Sequence, residues 1–580
     1  MRIVKQRLPS LVIRFFPLLV VILLASVLRF WWLDRVPVGV VHDELTYLLN
    51  AKAIVHTGTD VTASWNPLSI FFFRYPPGDV QAELPYFLFV PILGFSPFSL
   101  FSAHLTNAIL GIATVIVLYF LAKDLWGKEV AFITGIISAI NPWSVYINRT
   151  AYEVTPAVFF YLLGLLILFK TKNKKIFWAF PIFLLGFYSY IGMKLIFTFV
   201  VISALVFVWF RNNKKNLHEY LVFGLLSLFV TVAYIVLLKL QPGSSRLGEL
   251  FSFSDPSIVH TVNLLRNQQI VSPMGSLFDN KIVIGSIILI TKFFKTFSFD
   301  YLFVYGDSFF SLWHHGLFYY IDGIFLLAGI VSAFVLSKKT FYFIIAMLCI
   351  GTLPQLAHSA DIANFTPHIS FIFPWMILLI AVGIWSVIRG IKQNLVKNLL
   401  TVFIVILYTF SLGNFLQVYF FQNPVEGGFF GLSDRLVAQY VQRTSSREKV
   451  YVYAHQPVDF AERYLFYSNA EGVSSRQMKQ VLSRGEVSVG NVIIGPCREG
   501  MDPSKVSGVV IIDFICEKNN SSHHLTVPQL SDGGEVYGIY NDTLCNKYAL
   551  KPFPSQLIIK DLAVESLSTP DFCEAFITSH

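Results

Sequence analysis

Two adjacent carboxylates, Asp43 and Glu44, stand in VPVGVVHDELTYLLNAKAI (36–54), with His42 beside them and Tyr47 one turn on. The plain reading is a helix start, where Asp and Glu favour the free N–H groups and the positive end of the dipole. The chemical reading is a general base for a hydroxyl, or half of a divalent-cation site. Arg74 stands in FFFRYPPGD (71–79), and Arg149 and Glu153 share NPWSVYINRTAYEVTP (141–156). Lys194 lies in YSYIGMKLIF (188–197). Snorkelling at an interface would explain Arg74 and Lys194 singly. As a set, carboxylates from separate loops beside guanidinium and ammonium groups suit transfer from a lipid phosphate, because Arg and Lys recognise phosphate by charge and hydrogen bonding. No glycine-rich phosphate loop or Ser/His/Asp arrangement offers competing chemistry.

The elements that must position these residues are membrane spans. The 580-residue chain is 55% hydrophobic and 14% charged, against roughly 25% charged residues in soluble domains. Apolar runs near the ~20 residues a span needs occur at 11–33, 99–122, 130–148, 153–169, 176–192, 194–210, 218–240, 317–336, 340–357, 366–388 and 399–421. About eleven spans are predicted, the first as a retained signal anchor. Basic clusters at Arg2/Lys5/Arg7, 170–175, 211–215, 337–339 and 389–397 then share one side, which the positive-inside rule makes cytoplasmic. The net charge of +9 is topology on this reading, with no nucleic-acid partner implied. A multi-pass plasma-membrane protein follows, with a membrane domain over 1–421 and external loops at 34–98 and 241–316. Within the second loop, 281–297 is interrupted by Lys292 and Lys295 and is expected to lie at the interface or re-enter.

From about Ser433 the character changes. Strand-like KVYVYA, NVIIG and VSGVVIIDFIC alternate with the amphipathic SDRLVAQYVQR, predicting a soluble, extracytoplasmic α/β domain over 422–580. Cys497, Cys516, Cys545 and Cys573 fall here and fit two disulfides in any of three pairings, while Cys349 lies in a span.

The order RFWWLDRVPVGVVHDELTYLLNAKAI, YPPG (75–78), NPWSVYINRTAYE (141–153) and YLFVYGDSFFSLWHHGLFYYIDGIFLLAGI (301–330) resembles the GT-C glycosyltransferases. It is most similar to family 39, the protein O-mannosyltransferase and aminoarabinose transferase group. The resemblance implies a mainly α, polytopic enzyme moving a sugar, with inversion, from a polyprenyl-phosphate carrier in the lipid to a hydroxyl acceptor on the outer face. It implies Asp43 as general base, Glu44 as positioning the acceptor or assisting a metal, and Glu153 as a second acid that with Asp43 could bind Mg or Mn. Arg74, Arg149 and Lys194 would meet the donor phosphate, and Asp307 with His314 and His315 would make late-loop contacts. His104 stands where relatives often carry arginine, and no arginine occurs in TPHISFIFP (366–374). A transporter of lipid-linked sugars is the alternative; such proteins more often show internal repeats and midplane charges, neither of which is a feature of this chain's acid loops.

Overall fold

The computed structural model describes residues 2–579 apart from 62–68, 70–81, 172, 213–216, 241–249, 271–273, 308, 313–314, 360–363, 427–429, 469–485, 499–501, 517–524, 549 and 553–555. The chain is a helical membrane domain followed by a C-terminal α/β domain. Helix α1 (Arg2–Phe30) leads through a turn into helix α2 (His42–Thr57), which stops at Gly58. Gly58 takes φ 72°, and its N–H closes on the Ile54 carbonyl, a left-handed cap that glycine adopts without strain.

Among the described residues five helices are long and apolar enough to span a bilayer: Leu100–Trp126, Leu217–Leu237, Lys338–Ala357, Thr366–Gly390 and Asn394–Glu426. Lys128–Ile140 and Pro142–Asn148 form a further candidate bent by 58° at Asn141, where Pro142 opens the second piece. Phe15–Phe30, Val154–Lys170, Phe197–Arg211 and Tyr320–Leu336 are shorter apolar helices. The 176–192 run is divided among the end of the 3-10 helix Asn173–Trp178, the 11-residue Ala179–Ser189 helix, about 16 Å long, and the start of the Ile191–Lys194 helix. Length and composition therefore support many spans without fixing their number.

Glycines set the closest helix crossing. A Cβ on Gly329 would lie 1.9 Å from the Leu379 carbonyl oxygen, and one on Gly383 would lie 2.0 Å from that of Phe325. The Tyr320–Leu336 and Phe373–Gly390 backbones can approach this way only because both residues lack side chains, as small residues permit in membranes. Lys170 pairs with Asp124 at 2.6 Å, Arg211 joins the same carboxylate, and Lys339 donates to the Phe210 carbonyl at 3.2 Å. The basic clusters at 170, 211 and 339 thus gather at one end of the bundle, as the charge pattern requires.

The uncertain 281–297 segment forms the Lys281–Thr296 helix, and it is not among the apolar candidates for a span. It is amphipathic. Lys292 is buried and donates to the His358 and Ser359 carbonyls at 3.1 and 2.5 Å, while Ile282, Ile290 and Phe294 are exposed.

The C-terminal domain carries a seven-stranded mixed sheet ordered β2-β3-β1-β4-β6-β5-β7. Its strands are β1 (Val450–Ala454), β2 (Val487–Val489), β3 (Val492–Pro496), β4 (Val509–Asp513), β5 (Leu525–Pro528), β6 (Glu535–Tyr540) and β7 (Thr578–Ser579). The three apolar strands read from sequence make the parallel centre, with Val450 facing Val492 on one side and Val509 on the other. The helices Leu432–Ser445 and Pro457–Tyr467 flank it. Of the three pairings open to the cysteines, the fold realises Cys497–Cys516 and Cys545–Cys573. The second closes a 28-residue separation between two fully buried cysteines, so the Cys545→Ser/Cys573→Ser protein should lose about 3 kcal/mol of domain stability. Pulse proteolysis of the full-length protein in urea measures this; an unmoved midpoint would remove the disulfide from the domain's stability.

Candidate active site

The acid pair divides its labour by burial. Glu44 is fully buried; its Oε2 accepts from the Val41 N–H at 2.8 Å and its Oε1 accepts from the Ala151 N–H at 2.7 Å. One carboxylate thereby caps α2 and ties it to the 149–153 turn. Burial pushes its carboxyl up to about 7, against the two N–H groups that favour the charge. Asp43 is exposed, and its Oδ2 accepts from the Tyr152 hydroxyl at 3.4 Å. Tyr152 is held by its carbonyl, which accepts from Asn107 Nδ2 at 2.8 Å, and by its ring against Phe310. Burial lifts the Tyr152 and Tyr47 phenols well above their usual range, with Glu153 adding to both, so both stay protonated. Glu153 itself is buried at the N-cap of the Val154–Lys170 helix.

Arg149 is fully buried and serves the frame. It donates to the carbonyls of Leu28 and Arg29 at 3.0 Å each, to that of Val36 at 2.6 Å, and to the Tyr419 hydroxyl at 3.1 Å. Leu28 and Arg29 belong to the last turn of α1, whose carbonyls lack helical partners and favour a cation. Arg29, which sequence reading passed over, repeats the device: it donates to Ala139 and Ser138 carbonyls, at the end of the Lys128–Ile140 helix, and to Ser144 Oγ at 2.8 Å.

Lys194 is also buried, with both Glu83 carboxylate oxygens 2.8–2.9 Å from its Nζ and the Tyr234 ring 4.7 Å away. Glu83 has no signal in the sequence beyond being an acid in an apolar stretch. Asp307 accepts from the Phe309, Phe310 and Thr366 N–H groups, fixing the late loop to the start of the Thr366–Gly390 segment. Phe310 carries that loop onto Tyr152. His315 packs on Tyr319 and Phe415 with Nδ1 2.8 Å from the Gly316 carbonyl oxygen. Arg74 and His314 lie outside the described residues.

The C-terminal domain forms a further wall. His42 Nδ1 lies 3.4 Å from Asp459 and 3.7 Å from Glu462, both on the Pro457–Tyr467 helix. The Tyr467 hydroxyl accepts from the Val40 N–H at 3.0 Å, and Arg463 donates to the Val40 carbonyl at 3.2 Å. Arg435 donates to the Val38 carbonyl at 2.6 Å and pairs with Glu565. Gly39 lets this happen, because a Cβ there would sit 2.1 Å from the Phe430 carbonyl oxygen. Burial lifts Glu462 to about 7. No helical or strand periodicity announces these long-range contacts.

Among the described residues no group of three or more His, Cys, Asp or Glu side chains is arranged to hold a metal ion.

Two measurements test this geometry. Because removing one partner of a buried ion pair costs ~3–5 kcal/mol while replacing both often costs little, Lys194→Met should destabilise more than Glu83→Gln/Lys194→Met. Equal losses in urea titrations would show the pair to be uncoupled. For pH, Glu44 and Glu462 are both raised from 4.5 to about 7. Their contribution is full below about pH 4.5 and lost as pH rises through 7, at up to ~1.4 kcal/mol per unit per group. Resistance of the domain junction to proteolysis should rise from pH 8 to pH 5.5, and Glu44→Gln/Glu462→Gln should flatten the profile; an unchanged slope in that variant sinks the assignment.

No family model and no curated protein matches the sequence. The chain is similar in structure to the oligosaccharyltransferase AglB from Archaeoglobus fulgidus, in complex with an inhibitory peptide and a dolichol-phosphate, at 12% identity and a TM-score of 0.45. That alignment covers 79% of this chain and 64% of AglB, so the chain spans a little under two thirds of it. It is also similar to ArnT from Cupriavidus metallidurans bound to undecaprenyl phosphate, at 12% identity and a TM-score of 0.45, covering 90% of this chain and 98% of ArnT.

Proposed function

We propose that this protein is an integral-membrane glycosyltransferase that moves a sugar, a mannose-type hexose, from a polyprenyl-phosphate donor to a hydroxyl on the extracytoplasmic face. The acceptor is a protein, a glycolipid or an envelope glycan. The observation that carries the reading is the split acid pair: Glu44 is sealed into the frame, and Asp43, one residue away, remains exposed on a residue the frame holds still.

In the proposed step the acceptor oxygen attacks the anomeric carbon while Asp43 takes its proton. The bond from that carbon to the phosphate oxygen breaks, and the polyprenyl phosphate leaves with the electron pair. One displacement inverts the anomeric centre. Tyr152 orients the Asp43 carboxylate through its hydroxyl. The leaving phosphate needs a cation at headgroup depth, a role proposed for Arg74 on its sequence context.

Loss of a positioned general base removes about 10²- to 10⁴-fold of rate. Asp43→Asn should therefore lower sugar release from a radiolabelled polyprenyl-phosphate hexose by that factor, with the melting temperature unchanged. Glu44→Gln should instead lower stability first. Unchanged turnover in Asp43→Asn would end the base assignment; transport of the lipid-linked sugar without transfer to any acceptor would replace the enzyme by a transporter.

A further inference from the structure

A second feature lies away from the acid pair, where the C-terminal domain meets the membrane domain. A cleft of about 320 Å³ has Trp32, Phe420 and Phe421 on one side and Leu557, Ile558 and Ile559 on the other. The first wall lies at the ends of two apolar helices. Trp32 follows α1 directly and packs edge-on against Phe420 and Phe421. Those two residues continue the Asn394–Glu426 segment, whose apolar window is only 17% buried within the protein. Along it Phe403, Phe410 and Phe421 are exposed. Phe403 and Phe410, seven residues apart, lie close to one line on the α-helix, and Phe421 is exposed on the π-helical turn Val418–Gln422 that follows, so exposed apolar surface runs up to the cleft.

The second wall belongs to the C-terminal domain. Ile558 is 54% exposed, and Lys560 beside it is exposed as well. This turn is built: Asp561 Oδ2 accepts from the Ile558 N–H at 2.9 Å, and the Asp561 N–H donates to the Ile558 carbonyl at 2.9 Å. Arg435 then pins the following residues, donating to the Leu562 carbonyl at 3.1 Å while it holds the Val38 carbonyl. An ordered turn with an apolar tip, an adjacent lysine and exposed apolar surface running up to it has the chemistry of a membrane-surface contact.

We propose that the C-terminal domain touches the bilayer through Leu557–Lys560, and that the cleft seats an acyl chain of a bilayer phospholipid whose phosphate lies near Lys560. The proposal rests on the membrane reading of the chain and is independent of the transferase reading. To test it, the full-length Cys349→Ala/Ile558→Cys protein is labelled with an environment-sensitive fluorophore and placed in phosphatidylcholine–phosphatidylglycerol vesicles carrying a shallow nitroxide phospholipid. The label at 558 should be quenched at least threefold more than one at the exposed Ser504 of the same domain, and Lys560→Glu should reduce that quenching. Leu557→Cys gives the same readout should the 558 variant fold poorly. Equal quenching at 558 and 504 overturns the proposal. Relief of quenching by a few mole per cent of polyprenyl phosphate also overturns it, since the cleft would then hold that chain instead.

Discussion

The arrangement depends on one small turn, residues 149–153, being locked from two directions. Arg149 reaches into the unpaired carbonyls at the end of α1 and onto Val36, while the Ala151 N–H reaches Glu44 at the start of α2. Helix ends buried without partners are costly. Here the guanidinium satisfies the C-terminal end of one helix, and a carboxylate satisfies the N-terminal end of the next. The chain between them, from Val36 to Val41, is thus fixed at both ends, and Asp43 inherits its position from that constraint.

Burial separates the two acids more sharply than chemistry does. Both are carboxylates on the first turn of α2, yet one is surrounded and the other meets solvent. A sealed carboxyl held up near neutrality is a poor choice to exchange protons with a substrate it cannot touch. An exposed one, steadied by a tyrosine whose own proton is firmly held, can do so without disturbing the frame. The late loop contributes indirectly, since Asp307 orders it and Phe310 then supports Tyr152.

Much of the layout was legible in sequence because it follows from local patterns. Apolar runs marked the helices, basic clusters marked one end of the bundle, and short strand-like apolar runs marked β1, β3 and β4. The even cysteine set pointed to two disulfides in the soluble domain. Partnerships were far less legible. Arg149 and Lys194 read as phosphate contacts because a cation near a membrane face suggests an anion. Their actual neighbours, helix-end carbonyls and Glu83, come from 111 or more residues away. The same distance hid Arg29, whose role appears only once the Lys128–Ile140 helix ends beside it.

The C-terminal domain was the least legible part, and its placement changes what kind of protein this is. A module that recruits a partner would keep its helices free of the membrane domain. Here the Pro457–Tyr467 helix is committed to the acid loop: Tyr467 and Arg463 hold Val40, and Asp459 and Glu462 face His42. The charges are coupled too, since Arg463 favours the ionised form of Glu44 and His42 favours that of Glu462. Undocking the domain would remove the Arg463 contribution and leave the Val41 and Ala151 N–H groups to favour the Glu44 charge against burial and Asp43. The domain therefore contributes to the electrostatic balance around Glu44, and the acid pair and the C-terminal sheet belong to one packed unit.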